Sequence, residues 1–164
     1  MKTYLTFTLT ALLLLSGSAC KEHHHHDDHS SAELKIITDE KDISVKLTSH
    51  TEPIIGFEHQ AKSEEDKKKQ EAGLEKFENN FSKMISLGAG CSAEKQSMTV
   101  EKHGHHQVFE ASFFIKCESP VAGKSLNFNM GSLYPEIKAL KVDLIQGGVA
   151  QKHSLSAHGS KLKI

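Results

Sequence analysis

The sequence predicts an α+β protein: a largely antiparallel sheet of six to eight strands with one long amphipathic helix packed on it. Three observations carry that expectation. Apolar and polar residues alternate in several short runs on both sides of residues 63–88. Over one stretch, and only one, apolar residues instead recur at three- and four-residue steps. A chain of 164 residues bounds the answer to one domain, or one domain plus a tail. A β-sandwich with a peripheral helix is the competing arrangement; the five-residue apolar stripe on the helix argues that it covers a sheet face.

The first element is an address. Met1-Lys2 is followed by a mostly apolar run from Tyr4 to Leu15, then by Ser16-Gly17-Ser18-Ala19 and Cys20. A charged start, a short apolar stretch and a small-residue exit make residues 1–19 a secretory signal, too short to span a bilayer. The segment is also similar to a bacterial lipoprotein signal, in which Cys20 is lipidated and begins the mature chain. Ordinary cleavage after Ala19 would leave Cys20 as a thiol. Lys21 in second place resembles an outer-membrane destination. The expected location is therefore the periplasm, with any membrane attachment made only through a lipid on Cys20. Residues 20–32 have no apolar periodicity and are expected to be a disordered, histidine-rich tail, with the folded domain running from Glu33 to Ile164.

Leu34 and Ile36, then Ile43, Val45 and Leu47, alternate with polar residues around a Thr38–Asp42 turn. They predict a hairpin with one apolar face. Pro53–Phe57 reads as a buried connection. Ser63 is an N-cap candidate with Asp66 three residues on, and Glu64, Glu65 and Asp66 suit the positive end of a helix. Leu74, Phe77, Phe81, Met84 and Ile85 form the stripe, and Gly88 is the expected stop. Gly73 interrupts this helix without a local reason. Period two returns at Met98–Val100, Phe109–Cys117, Leu126–Met130 and Leu140–Leu144, with short strands near Val149–Leu155 and Lys161–Ile164.

Cys91 and Cys117 lie equally far on either side of Gly104. A hairpin turning at His103–His106 brings the two sulfurs together at its open end, where an exported protein can keep a disulfide. Pairing strictly about Gly104 mismatches the apolar faces by one residue, so a bulge or a longer tip is expected.

Composition excludes some functions. The net charge is −1 and there is no Arg, which leaves no basic field for nucleic acid. The 12 histidines point to metal chemistry. His23, His24, His25, His26 and His29, with Asp27 and Asp28, form a cluster that can wrap an ion such as Zn²⁺. His103, His105 and His106 at the hairpin tip can supply part of a tetrahedral site. His59 follows Glu58, and both are candidate ligands. His50, His153 and His158 are isolated, and each is expected to be a surface or hydrogen-bonded residue rather than a ligand.

Several of these features, in this order, resemble the ZrgA-like family of exported zinc-binding proteins of Gram-negative bacteria. They are Gly56-Phe57-Glu58-His59 after an initial strand pair, a helix, Gly88-Ala89-Gly90-Cys91, the His103–His106 interruption, the strand ending at Cys117, and Leu133-Tyr134-Pro135. The histidine-rich insert is short here, and much of the histidine stands in the N-terminal tail. The resemblance implies periplasmic zinc binding in support of uptake through an ABC transporter.

The leading expectation is thus an exported, non-enzymatic protein that captures or buffers Zn²⁺. A metallohydrolase would need a preformed three-ligand site and a general base, for which Glu58 is the one nominee. A structural or partner-binding lipoprotein with incidental histidines is the third class. Capture should fail as pH falls through the histidine range, because protonated imidazole cannot ligate.

Overall fold

A computed structural model describes residues 29–104 and 106–164. Residues 1–19, expected to be an export signal, and Cys20, His23–His26 and His105 lie outside these residues. The chain runs β1 (Ser31–Thr38), β2 (Asp42–His50), α1 (Glu52–Ile55), α2 (Glu64–Met84), β3 (Ile85–Ser86), β4 (Cys91–His103) and β5 (His106–Cys117). It continues through β6 (Ser125–Phe128), a 3-10 turn (Met130–Ser132), β7 (Ala139–Gln146), β8 (Val149–Ser156) and β9 (Ser160–Lys163).

The strands divide between two sheets rather than one. The larger has the order β4-β5-β2-β1-β7-β8, and the smaller β3-β6-β9. All neighbours are antiparallel except β1 and β7, which run parallel, Leu34 opposite Val142. The large sheet is thus largely antiparallel with six strands, as expected, but mixed through one parallel pair, and the expectation of a single sheet is corrected by the second, three-stranded one. A parallel pair needs a long crossover, and here everything from β2 to the 3-10 turn intervenes, so no local pattern announces it.

Alternation aims one face of the large sheet inward. Leu34 and Ile36, Val45 and Leu47, Phe109 and Phe113, and Leu140 and Val142 are all buried, while Glu33, Lys35, Lys46 and Lys141 on the same strands point outward and are exposed. The α2 stripe packs on that inner face through Phe77, Phe81 and Met84. The Phe81 ring stacks on Phe113 at 3.7 Å, and Phe77 meets Phe109 edge-on at 4.7 Å. Tyr134, from the Leu-Tyr-Pro element, is a core residue: it lies near Phe77, and burial pushes its hydroxyl up to about 12.

Three boundaries differ from those read from sequence. β1 begins at Ser31, inside the expected tail, because it must match β7, with Ala32 fully buried opposite Leu140. The helix ends at Met84 rather than at Gly88; Ile85 is already extended and pairs with Phe128. Pro53–Phe57, read as a buried connection, includes the last three residues of the one-turn helix α1.

The Ser63 cap is as expected and forms a full capping box: the Asp66 N–H donates to Ser63 Oγ at 3.0 Å, and the Ser63 N–H reaches Asp66 Oδ2 at 3.4 Å. Cys91 and Cys117 are directly opposite in the β4–β5 ladder and are disulfide-bonded. The expected bulge falls between Lys95 and Ser97, restoring Met98 opposite Ala111 and Val100 opposite Phe109.

Candidate metal centre

The segment from His50 to Glu58 is a compact structural device. β2 ends at His50, and Thr51 opens α1 with Pro53 in its first turn, where a missing N–H costs nothing. Ile54 and Ile55 are the buried face of α1. Gly56 stops it in the left-handed region (φ 88°), its N–H donating to Glu52 O at 2.8 Å. The Thr51 hydroxyl then donates to the Phe57 carbonyl at 2.8 Å and closes the loop. The chain is thereby turned back on itself so that Glu58 faces His50, the residue that preceded the loop.

Gly73 has its reason here. A Cβ at that position would lie 2.8 Å from Ile55 Cγ2 and 2.9 Å from the Ile54 carbonyl oxygen. The glycine lets α1 settle directly onto α2, which fixes the loop carrying Glu58.

Three imidazoles surround the Glu58 carboxylate. His29, just before β1, places Nδ1 2.9 Å from Oε1 and can donate to it. His50, the last residue of β2, places Nδ1 3.3 Å from the same oxygen. His106, the first residue of β5, places Nδ1 3.5 Å from the other oxygen, Oε2. The strand order explains the convergence: β5, β2 and β1 are adjacent, and the three histidines stand at one end of them. The His29 and His50 rings stack at 4.1 Å, and His106 approaches both edge-on at 6.1 and 6.2 Å.

Ligand atoms of His29, His50 and Glu58 all lie within 4.8 Å of one another. A tetrahedral ion with bonds of about 2.0–2.1 Å separates its ligand atoms by roughly 3.3 Å, close to the 2.9 and 3.3 Å seen from Oε1 to the two Nδ1 atoms. His50 Nδ1 is buried yet has no hydrogen-bond partner among the described residues, a condition an ion would relieve. The donor set, two imidazoles and a carboxylate, suits a borderline cation such as Zn²⁺. His50 is 16% and Glu58 25% exposed at the side chain, whereas His29 is 47% exposed, so the set is shielded on one side and open on the other.

The residues singled out from sequence fall in different places. Glu58 is the centre of the cluster and His29 belongs to it. His106 borders the three-residue set through Oε2 and is not among the atoms within 4.8 Å. His59 turns elsewhere: its ring stacks on Phe57 at 4.6 Å and its Nδ1 can donate to the Gln60 carbonyl at 3.2 Å. His103 is opposite His106 in the ladder and exposed, with no ring contact to the cluster among the described residues. His23–His26 and His105 lie outside the described residues.

His50 was expected to be an isolated residue and is instead a core member of the set. The β1–β2 hairpin held the signal. With Glu33 opposite Thr48, the next positions outward bring His29 and His50 to neighbouring places at the same end. His153 and His158 remain apart from the cluster; the His158 ring fills the space beside Gly131 that a Cβ would need.

Among protein families, the chain matches the one described as ZrgA family zinc uptake protein, over residues 23–164. No curated protein matches it at a significant level.

Proposed function

Because the chain belongs to the ZrgA family of zinc uptake proteins, we propose that it captures Zn²⁺ at His29, His50 and Glu58 and supplies the ion to an ABC-type uptake transporter, or buffers it for that purpose. The observation that carries this reading is the approach of two imidazole nitrogens to one carboxylate oxygen at nearly tetrahedral spacing. His106 holds Oε2, the oxygen that the other two histidines do not use. It thereby orients the carboxylate so that Oε1 faces the ion, in the way outer-shell partners orient metal ligands.

Three protein ligands leave a fourth position open. For a carrier this openness favours hand-over, since an incoming ligand can enter before the others release. The tail fits the same reading. His26 precedes His29 by three residues, so an ion held by His23–His26 is within about 10–20 Å of the folded site along the chain. Such tethering makes passage from tail to site an intramolecular event at high effective concentration.

Binding without turnover is the better reading of the carboxylate. Glu58, the one base the sequence nominates, is committed to the ion and is not free to activate water. Export under the residue 1–19 signal suits the Cys91–Cys117 disulfide, which an oxidising compartment preserves. Lipidation of Cys20 would keep the protein at the membrane that zinc must cross.

The test is growth under zinc chelation of a strain lacking this protein, complemented with wild type or with Glu58→Ala. Wild type should restore growth and the variant should not. Equal rescue by the variant would sink the reading.

A further inference from the structure

The outer face of the large sheet, opposite α2, carries its side chains in cross-strand rows. One row is mostly apolar: Phe114, Ser44, Ile37, Ile145 and Ala150 stand opposite one another in turn from β5 to β8. Ile37 is 42% exposed, and Val149, beside Ala150, is 59% exposed. The next row is mostly cationic: Ser112, Lys46, Lys35, Asp143 and Lys152. Two adjoining clefts share Lys35 and Lys46. One, of about 390 Å³, also has Ile37, Ser44 and Phe114 in its walls. The other, of about 640 Å³, adds Lys141, Lys152, Glu33 and Asp143.

The charges of the larger cleft are unbalanced. Its four lysines face two carboxylates, an excess of two positive charges on a chain whose net charge is −1. Lys46 pairs with Glu110 at 2.8 Å and Lys152 with Asp143 at 3.4 Å, but Lys35 and Lys141 have no ion-pair partner among the described residues. Lys35 stands directly opposite Lys46, and like charges so placed are destabilising until an anion lies between them. The same face leads toward the candidate metal set. Ser44, Lys46 and Thr48 point outward from β2, and the alternation continues to His50, about 13 Å beyond Lys46 along the strand.

We propose that this face docks an extended acidic segment of the protein that receives the ion, with apolar and carboxylate side chains in alternation. The surface is carried by its two rows, and only the identity of the partner rests on the zinc-uptake reading above. An extended chain laid across the strands between the rows sends alternate side chains to either side. Apolar ones meet Ile37, Phe114 and Ile145, and carboxylates meet Lys35, Lys46 and Lys152. From β5 to β8 the rows span about 19 Å, about six residues of extended chain. A zinc acceptor brings carboxylates and imidazoles, the ligand types the ion requires. The face covers roughly 400–500 Å² per partner, the size of a weak, transient encounter, which suits release after hand-over. An anionic bilayer fits less well: Glu33, Glu110 and Asp143 among the lysines repel it, and a flat surface does not enter the clefts.

The probe is a fluorescein-labelled octapeptide, Leu-Asp repeated four times, titrated with the full chain and followed by anisotropy. It should bind, and binding should weaken as salt rises. Lys35→Gln/Lys46→Gln, at two exposed positions, should bind it about 5- to 10-fold more weakly. A Leu-Ser octapeptide should bind wild type more weakly by at least as much. No binding of the Leu-Asp peptide, equal binding of the two peptides, or equal binding by the two proteins would overturn the docking surface. Lysine-dependent binding of phosphatidylglycerol vesicles, or lysine-dependent self-association, in place of peptide binding would assign the face to a membrane or a second copy and overturn it as well. Zinc titration of the same wild-type protein separates the two readings. Zinc binding without peptide binding removes the docking surface alone, whereas peptide binding without zinc binding removes the zinc reading and the partner's identity with it.

Discussion

At one end of the β4–β5 hairpin, Cys91 and Cys117 stand opposite each other and are covalently joined. At the other end, His103 faces His106, and the chain meets Glu58, His50 and His29. The cystine end includes buried apolar neighbours such as Ile115 and Val121. The histidine end has an unusual share of buried polar groups: Ser31, Ser49, Thr51 and Gln107 are buried, and each lies within two residues of a member of the cluster. Among the described residues, Ser49 Oγ, His50 Nδ1 and Gln107 Oε1 have no hydrogen-bond partner. One end spends covalent and hydrophobic energy on rigidity, while the other keeps polar capacity in reserve for a ligand. Stability and binding should therefore separate on mutation.

Breaking the cystine gives the largest expected effect. For a separation of 26 residues, the chain-entropy relation estimates a loss of about 3.5 kcal/mol in the Cys91→Ser/Cys117→Ser protein. Denaturant unfolding would measure it. Zinc affinity of the folded variant should stay within about threefold of wild type; a larger change would mean that the two ends are not independent.

Gly73→Ala tests the reverse link, from packing to site. Alanine favours a helix by about 1 kcal/mol. The new Cβ, however, meets backbone atoms of Ile54 and Ile55, and overpacking of that kind costs about 1–3 kcal/mol. The net result should be a modest loss of stability together with weaker zinc binding, because α1 carries the Glu58 loop. A stabilised protein with unchanged zinc affinity would remove α1–α2 packing from the account of the site.

His106→Ala should leave unfolding nearly unchanged and weaken zinc binding by about 10-fold, the low end for an orienting partner. A loss as large as that from removing His50 would make His106 a direct ligand.

The smallest effect is expected at the start of α2. Ser63→Ala should cost about 1 kcal/mol through the lost cap. It should also change the acid limb of stability. The Ser63 side-chain hydrogen bond holds the Asp66 carboxyl below its ordinary value. With its folded pKa depressed, Asp66 contributes stability that is present above about pH 3.9 and is lost as pH falls through the lower folded value. Unfolding measured from pH 5 to pH 2 should show that slope in wild type and a shallower one in the variant.

What the sequence made legible follows from how local each signal is. The β1–β2 hairpin, the helix stripe, the Ser63 cap and the cystine each depend on residues close in sequence or symmetric about one turn. The bulge near Lys95 was legible because apolar parity failed to match. The parallel β1–β7 pair and the second sheet were not, since they depend on where distant strands dock. The site shows the same division. Glu58, His29 and His106 stood out as parts of local motifs or clusters, but their convergence required the order β5-β2-β1. His50 has no distinctive neighbours and becomes a ligand candidate only once β2 ends beside His29. Gly73 looked like a defect because the surface it accommodates, α1, touches it from a separate element.

The folded end of the sheet, and not the tail alone, is proposed to hold zinc. Calorimetric titration of the full chain with His23–His26 replaced by alanine tests it most directly. One equivalent of Zn²⁺ should bind, and Glu58→Ala in that background should weaken binding a few hundred-fold. That corresponds to about 3 kcal/mol, one ligand's share of roughly 10 kcal/mol spread over three. No zinc binding once the tail histidines are gone, or the same affinity with and without Glu58, would contradict it.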